Sequence, residues 1–80
     1  MKELVEYIVK SLVDDPDAVQ VTEYNDRSTT TLELSVAAAD MGRVIGKNGR
    51  VINSIRDLLQ VLAEKEGLQA SLEVLEVNPR

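Results

Sequence analysis

The sequence has 80 residues, of which 44% are hydrophobic and 29% are charged, and its formal net charge is −5. This length predicts one small domain, residues 1–80, and the composition is typical of a globular chain and not of a disordered one. The chain contains no cysteine and no histidine, which excludes disulfides, thiolate zinc sites and the commonest general base. We therefore predict no metal site, no cofactor and no catalytic activity, since no residue pattern joins a nucleophile to a base.

The first residues, Met1-Lys2-Glu3, begin no apolar core of a signal peptide, and no apolar run is long enough to span a membrane. The sequence therefore predicts a protein of the reducing cytoplasm.

Charge is unevenly distributed along the chain. An acidic protein repels a phosphate backbone, so the net charge at first argues against nucleic acid. However, residues 43–56 contain Arg43, Lys47, Arg50 and Arg56, and all 14 acidic residues lie elsewhere. This distribution predicts one basic stripe on an otherwise acidic surface.

Hydrophobic periodicity predicts a helix followed by a hairpin. Residues 2–14 carry apolar side chains at helical spacing, and the Asp14-Asp15-Pro16-Asp17 run ends the helix. Residues 19–24 and 30–37 alternate with a period of two, with Leu32, Leu34 and Val36 on one face. The turn residues 25–28 between them indicate an antiparallel connection.

The second half of the chain predicts two helices and a last strand. Asp40 is placed to cap a short helix over residues 41–45, and a longer helix follows over residues 50–66. Gly67 is placed to end that helix in a left-handed conformation. Residues 68–74 then alternate as a strand. The fold class is α+β, with the order α-β-β-α-α-β and a mixed three-stranded sheet whose helices pack on one face.

The loop Gly46-Lys47-Asn48-Gly49 separates the two helices. Two residues without Cβ allow positive φ angles and let a phosphate approach the backbone. The helix that follows presents free N–H groups and the positive end of its dipole. The apolar residues Val44, Ile45 and Ile52 are predicted to anchor both helices in the core, so the loop has a rigid base.

The stretch Val44-Ile45-Gly46-x-x-Gly49 with Ile52 three positions later resembles the signature of the KH domain, in which a GXXG loop clamps the backbone of single-stranded RNA. The element order resembles the bacterial, type II arrangement, and the chain as a whole resembles the small bacterial KhpA family. That resemblance implies a homodimer, a possible heteromer with a larger KH-containing RNA-binding protein, and bases lying in an apolar groove between helices and sheet.

The resemblance also implies roles for individual residues. Gly46 and Gly49 would shape the loop, and Lys47 and Asn48 would face the phosphates. Arg43 and Arg50 would flank them. The apolar pair before the loop, Val44 and Ile45, would line the groove or the core beneath it.

Some alternatives stay open at this point. The loop could be a plain turn between helices, and Arg56 is interpreted as a solvated side chain. Val61 falls outside the apolar arc of the long helix, where it is either a scattered exposed residue or part of a self-association surface. An acidic surface with Val61 exposed also fits a protein–protein adaptor that uses the KH fold mainly to dimerise.

Overall fold

The computed structural model of the protein describes residues 1–75. Its helices and strands, in chain order, are α1 (Lys2–Leu12), β1 (Gln20–Asp26), β2 (Thr29–Ser35), α2 (Met41–Ile45), α3 (Arg50–Lys65) and β3 (Gln69–Val74). Short 3-10 turns lie at Pro16–Ala18, Ala38–Asp40 and Lys47–Gly49. The predicted order α-β-β-α-α-β is confirmed.

The sheet is mixed. β1 pairs antiparallel with β2, and β2 pairs parallel with β3, so β2 is the central strand. The helices pack on one face of the sheet, which confirms the predicted α+β class. The path from β2 to β3 runs through α2 and α3, because parallel neighbours need a long crossover connection.

The core forms where the inner face of the sheet meets the apolar stripes of the helices. The predicted inward face of β2 is confirmed, with Leu32 and Leu34 fully buried. The polar residues between them turn to the opposite face, as the period of two requires. The buried apolar residues that pack in one cluster include Val5, Val9, Val21, Val36, Ile52, Ile55, Leu59 and Leu72.

The hairpin is tighter than predicted. The expected turn over residues 25–28 is wrong in its first half, because Asn25 and Asp26 belong to β1. Only Arg27 and Ser28 connect the strands, and Arg27 takes a positive φ of 58°. The buried Thr30 hydroxyl donates to Asn25 Oδ1 at 2.9 Å across the strand pair, and this bond gives Asn25 a partner within the ladder.

The first turn of α1 is bonded to the sheet by a residue of β1. The Lys2 N–H donates to Glu23 Oε1 at 3.0 Å, and the Asn25 side-chain amide donates to Glu23 Oε2 at 3.1 Å. These two bonds, the Asn25 bond first, lower the pKa of Glu23 because both stabilise the charged carboxylate. Glu23 therefore caps the N-terminus of α1, as an N-cap residue would, although it is distant from that helix in sequence.

The end of α1 also differs from the prediction. The helix ends at Leu12 and not at Asp14, because the N–H groups of Asp14 and Asp15 donate to the two carboxylate oxygens of Asp40, each at 3.1 Å. Asp40 does precede α2, as predicted, but its side chain makes no bond to the N–H groups of that helix. The predicted capping role of Asp40 is therefore wrong.

The other boundaries shift by one or two residues. β2 ends at Ser35, before the predicted residue 37, and α3 ends at Lys65. The predicted role of Gly67 is confirmed, since its φ is 74°. Its N–H donates to the Glu64 carbonyl at 3.1 Å, and the next N–H, of Leu68, donates to the Ala63 carbonyl at 2.9 Å. This pair of bonds is the Schellman motif.

Candidate nucleic-acid interface

The glycine-bracketed loop takes the conformation that the sequence predicts. Gly46 and Gly49 have φ angles of 78° and 77°, and Asn48 between them also has a positive φ, of 57°. Asparagine is one of the few residues with a side chain that tolerates this region. The N–H of Gly46 closes α2 on the Gly42 carbonyl, and the N–H of Gly49 donates to the Gly46 carbonyl at 3.1 Å. Three residues with positive φ within this four-residue loop thus reverse the chain between the helices.

Gly46 also allows the close approach of α2 to α3. A Cβ atom built at this position would lie 2.8 Å from the Val51 backbone nitrogen, closer than side-chain contacts allow. A Cβ at Gly49 would lie at an acceptable 3.4 Å from Asn53 Nδ2. Gly46 is therefore needed for packing as well as for its φ angle, whereas Gly49 is needed for its φ angle alone.

The loop presents positive charge to solvent. Lys47, Asn48 and Arg50 are exposed, and the loop leads directly into the first turn of α3. No side chain caps the N-terminus of α3, and the Arg50 N–H donates to the Lys47 carbonyl. The later N–H groups of the first turn and the positive dipole end of the helix therefore remain for a ligand. The expected combination of loop cations and helix N–H groups is present in one place.

Arg43 forms ion pairs with two carboxylates. Its Nη2 atom is 3.0 Å from Asp14 Oδ2, and its Nε atom is 3.9 Å from Asp40 Oδ1. The guanidinium stays more than half exposed, so each ion pair contributes little to stability. Two carboxylates nevertheless offset its charge, and Arg43 joins α2 to the segment after α1.

The apolar pair before the loop divides between two positions. Val44 is fully buried, which places it in the core beneath the groove and not on its lining. Ile45 is partly buried and packs against the same core. The predicted anchoring of the helices by Val44, Ile45 and Ile52 is confirmed.

A groove lies between α3 and the edge strand β3, and its cavity volume is about 280 Å³. Apolar and polar residues share its lining, with Leu59, Ala70 and Leu72 beside Arg56, Asp57, Gln60 and Ser71. The groove corresponds to the predicted space between helices and sheet. Its residues could not be named from the sequence, because they depend on how α3 lies against β3.

Arg56 is not merely the solvated side chain that the sequence indicated. Its Nε donates to the Leu72 carbonyl at 3.0 Å, and its Nη1 donates to Asn53 Oδ1 at 3.1 Å. Gln60 makes a similar contact, since its Oε1 accepts from the Ala70 N–H at 3.2 Å. One flank of α3 is polar, because Asn53, Arg56 and Gln60 follow one another at spacings of three and four residues. This spacing is the signal in the sequence that could have identified these three residues.

The opposite flank of α3 carries exposed apolar side chains. Val61 is 52% exposed and Leu58 is 45% exposed, as the position of Val61 outside the apolar arc predicts. Within residues 1–75, no cluster of acidic side chains could hold a metal ion. No helix in that range is long and apolar enough to cross a membrane.

Comparison with known proteins identifies the family. A family model described as KhpA/KhpB, KH domain, matches residues 2–74. The chain is 46% identical over 76 residues to a protein of Chlamydia trachomatis named RNA-binding protein KhpA, covering 95% of this chain and 97% of that one. Proteins of the same name from Clostridium acetobutylicum and Aquifex aeolicus are 48% and 42% identical, covering 94% and 95% of this chain and 100% and 96% of theirs. With a loop, helices and sheet of the predicted arrangement, the chain belongs to the KhpA/KhpB family of KH domains.

Proposed function

We propose that this protein binds short single-stranded RNA, with the loop Gly46–Gly49 holding phosphates and the groove between α3 and β3 holding bases. The observation that carries the proposal is the exposed cationic loop at the uncapped N-terminus of α3, on a protein that is otherwise acidic. The printed names of its relatives, RNA-binding protein KhpA, support it.

The loop suits phosphates because it combines three kinds of positive group. The backbone N–H groups of the first turn of α3 point out of the helix end, and its dipole adds a partial positive charge. Lys47 and Arg50 supply full charges, and Asn48 supplies a neutral amide donor. Arg43, paired with Asp14 and Asp40, has a smaller role in this binding than Lys47.

The groove suits bases better than phosphates. Its apolar lining, Leu59, Ala70 and Leu72, offers van der Waals contact, and Asp57 at the same groove repels a phosphate. The backbone of an RNA strand would therefore stay at the loop while the uncharged bases enter the groove. The partly buried Ile45 lies close to the loop in sequence and serves mainly to anchor α2.

Affinity of one copy for RNA should be modest and sensitive to salt. Contacts from the loop to about three phosphates correspond to a slope of about −2 in a plot of log binding constant against log salt concentration for a single strand. A second RNA-binding copy or partner would raise the overall affinity through effective concentration.

The test compares the wild type with a Lys47→Asp, Asn48→Asp double variant by fluorescence anisotropy of a labelled eight-nucleotide RNA at two salt concentrations. Aspartate tolerates the positive φ of residue 48, so we expect the fold to persist, which circular dichroism would check. A Lys10→Asp, Ser11→Asp double variant changes the net charge equally on the exposed end of α1.

We expect the loop variant to lose binding and its salt dependence, while the α1 variant stays within about threefold of wild type, since water and salt screen the exposed charges at the end of α1. Equal binding by the wild type and the loop variant would contradict the proposed role of the loop. Absence of binding by the wild type would contradict RNA binding altogether.

We also propose that two copies associate through the exposed apolar flank of α3, defined by Leu58, Val61 and Leu62. A second copy is the occupant that the family resemblance implies. The flank also carries Ser54 and Lys65, and Asp57 and Glu64 border Val61 at helical spacings of four and three residues.

Sedimentation equilibrium of the wild type and a Val61→Asp variant tests this association. We expect a dimer for the wild type and a monomer for the variant, because the interface would bury an unpaired charge. Tyr7→Asp, at an exposed aromatic residue of α1, is the matched control and should remain dimeric. A monomeric wild type would contradict the homodimer and leave this flank to the other partner that the family resemblance implies, a larger KH-containing RNA-binding protein.

The exposed Val61 also favours a second candidate function, an adaptor that uses the fold mainly for dimerisation. The two candidates differ in which variant removes the cellular role of the protein. Loss with Val61→Asp and none with Lys47→Asp would favour the adaptor, whereas loss with Lys47→Asp would favour RNA binding.

A further inference from the structure

The outer edge of β3 forms one wall of the groove. The N–H of Gln69 donates to the Ser28 carbonyl, and the N–H of Leu75 donates to the Leu34 carbonyl, so the odd-numbered residues of this strand bond to β2. In a parallel pair the intervening residues turn their N–H and C=O groups the other way. Ala70, Leu72 and Val74 therefore direct their backbone groups to the open edge.

Two side chains of α3 bond to this edge. Gln60 accepts from the Ala70 N–H, and Arg56 donates to the Leu72 carbonyl. An unprotected sheet edge is a template for added strands, so these side chains partly protect it. They also fix the positions of two polar groups along the groove.

The guanidinium of Arg56 is held from two sides. Leu72 accepts from Nε, and Asn53 accepts from Nη1. Asn53 in turn lies beside Gly49, since a Cβ at Gly49 would be 3.4 Å from Asn53 Nδ2. Asn53 thus lies between Gly49 and Arg56, so Arg56 is held on the flank of α3 that begins at the proposed phosphate loop.

Arg56 keeps donors for a ligand. A guanidinium has five N–H groups, and the two hydrogen bonds leave three of them, one on Nη1 and two on Nη2, on a side chain that lines the groove. The Leu72 N–H adds a further donor at the same edge. Asp57 in the groove lining disfavours a phosphate as the partner of this cation. A base with acceptor atoms is the ligand part that fits.

We propose, resting on RNA binding through the loop and groove, that Arg56 makes the groove selective for a base with two adjacent acceptors. Guanine presents O6 and N7, and cytosine presents N3 and O2, and each pair matches the fork of a guanidinium. Adenine places an amino donor beside each acceptor of its exposed edges, and uracil separates its two carbonyl oxygens by an N–H. These two bases would set donors against the donors of Arg56.

The test uses four eight-nucleotide RNAs with equal numbers of phosphates: all uridine, and uridine with two central cytosines, guanines or adenines. Wild type and Arg56→Lys are compared by fluorescence anisotropy. Lysine keeps the charge and loses the fork. For the wild type we expect the cytosine and guanine RNAs to bind about tenfold tighter than the adenine RNA, a typical effect of one bidentate contact. For Arg56→Lys we expect the ratios of the cytosine and guanine RNAs to the adenine RNA to fall to near one.

The outcomes separate this inference from RNA binding itself. Equal binding of all four RNAs by the wild type overturns the selectivity and leaves the loop intact as a phosphate site. A cytosine preference that survives in Arg56→Lys also overturns it, because another group would then read the base. Uniform weakening of all four RNAs by Arg56→Lys would assign the residue to the phosphate backbone and not to the base. Absence of binding to every RNA overturns both proposals.

Discussion

Two regions of the molecule join helices to the sheet but differ in burial. They are the loop region, residues 40–52, and the hairpin region, residues 20–30. In the loop region the carboxylate of Asp40 is 2% exposed and accepts two backbone N–H groups. In the hairpin region Glu23 also accepts a backbone N–H and a side-chain amide, yet its bonds face solvent. In both regions a carboxylate accepts hydrogen bonds from N–H groups, but the carboxylate of Asp40 is buried and the bonds of Glu23 face solvent.

Burial decides how much each arrangement contributes to stability. A buried group that loses its partner cannot recover a hydrogen bond from water, whereas an exposed group can. The loop region should therefore respond more strongly to substitution than the hairpin region. This difference would suit the proposed phosphate site, which needs its backbone N–H groups held in place.

The largest effect is expected for Gly46→Ala. The added methyl group would lie against the Val51 backbone, and the φ of 78° disfavours any side chain. We expect the free energy of unfolding to fall by about 3 kcal/mol, measured by urea denaturation.

Gly42→Ala is the matched control in α2. A Cβ there would meet nothing within 4 Å, and alanine favours helix by up to about 1 kcal/mol over glycine. Equal effects of the two substitutions would show that the close approach at Gly46 does not limit the loop region.

The conformation of the loop could be predicted from the sequence because it depends on local chemistry. Two glycines between helical segments allow positive φ, and the structure has it at both glycines and also at Asn48. The alternating pattern of β2 and the position of Gly67 were predictable for the same reason. The partners of Asp40, Arg43 and Arg56 were not, because they join residues that lie 26, 29 and 16 positions away.

The next effect in size is expected for Asp40→Ala. Removal of the carboxylate would leave the N–H groups of Asp14 and Asp15 without their acceptors and would release the segment after α1. We expect a loss of about 2 kcal/mol in the free energy of unfolding. Thermal denaturation would show the change.

Asp15→Ala controls for the loss of a carboxylate from the same acidic neighbourhood. It keeps the backbone N–H that Asp40 accepts and should change the free energy of unfolding by less than about 0.5 kcal/mol. A similar loss in both variants would mean that net charge, and not the hydrogen bonds of Asp40, controls this region.

The candidate site shows the same limit of prediction. The proposed phosphate loop is a continuous stretch, so its residues could be named from the sequence. The groove is built from α3 and β3 together, and the register of Arg56 on Leu72 follows only from tertiary packing. Patterns within one element indicate which flank is polar, but not which backbone group that flank meets.

The smallest effect is expected for Glu23→Gln, and it should depend on pH. The bonds from Asn25 and Lys2 lower the pKa of Glu23 below its ordinary value of 4.5. Because the pKa of Glu23 is lower in the folded state, the charged carboxylate adds stability at pH values above its unfolded pKa. This added stability is lost as the pH falls through the folded pKa.

At neutral pH we therefore expect the wild type to be more stable than Glu23→Gln by less than about 1 kcal/mol, because the bonds are exposed to water. The difference in melting temperature should shrink below pH 4.5, as Glu23 becomes protonated. Glu3→Gln, at an exposed residue of the same helix turn, controls for a change of charge near the helix start. A difference between wild type and Glu23→Gln that stays constant from pH 7 to pH 3 would show that the side-chain shape of Glu23, and not its charge, supports the first turn of α1.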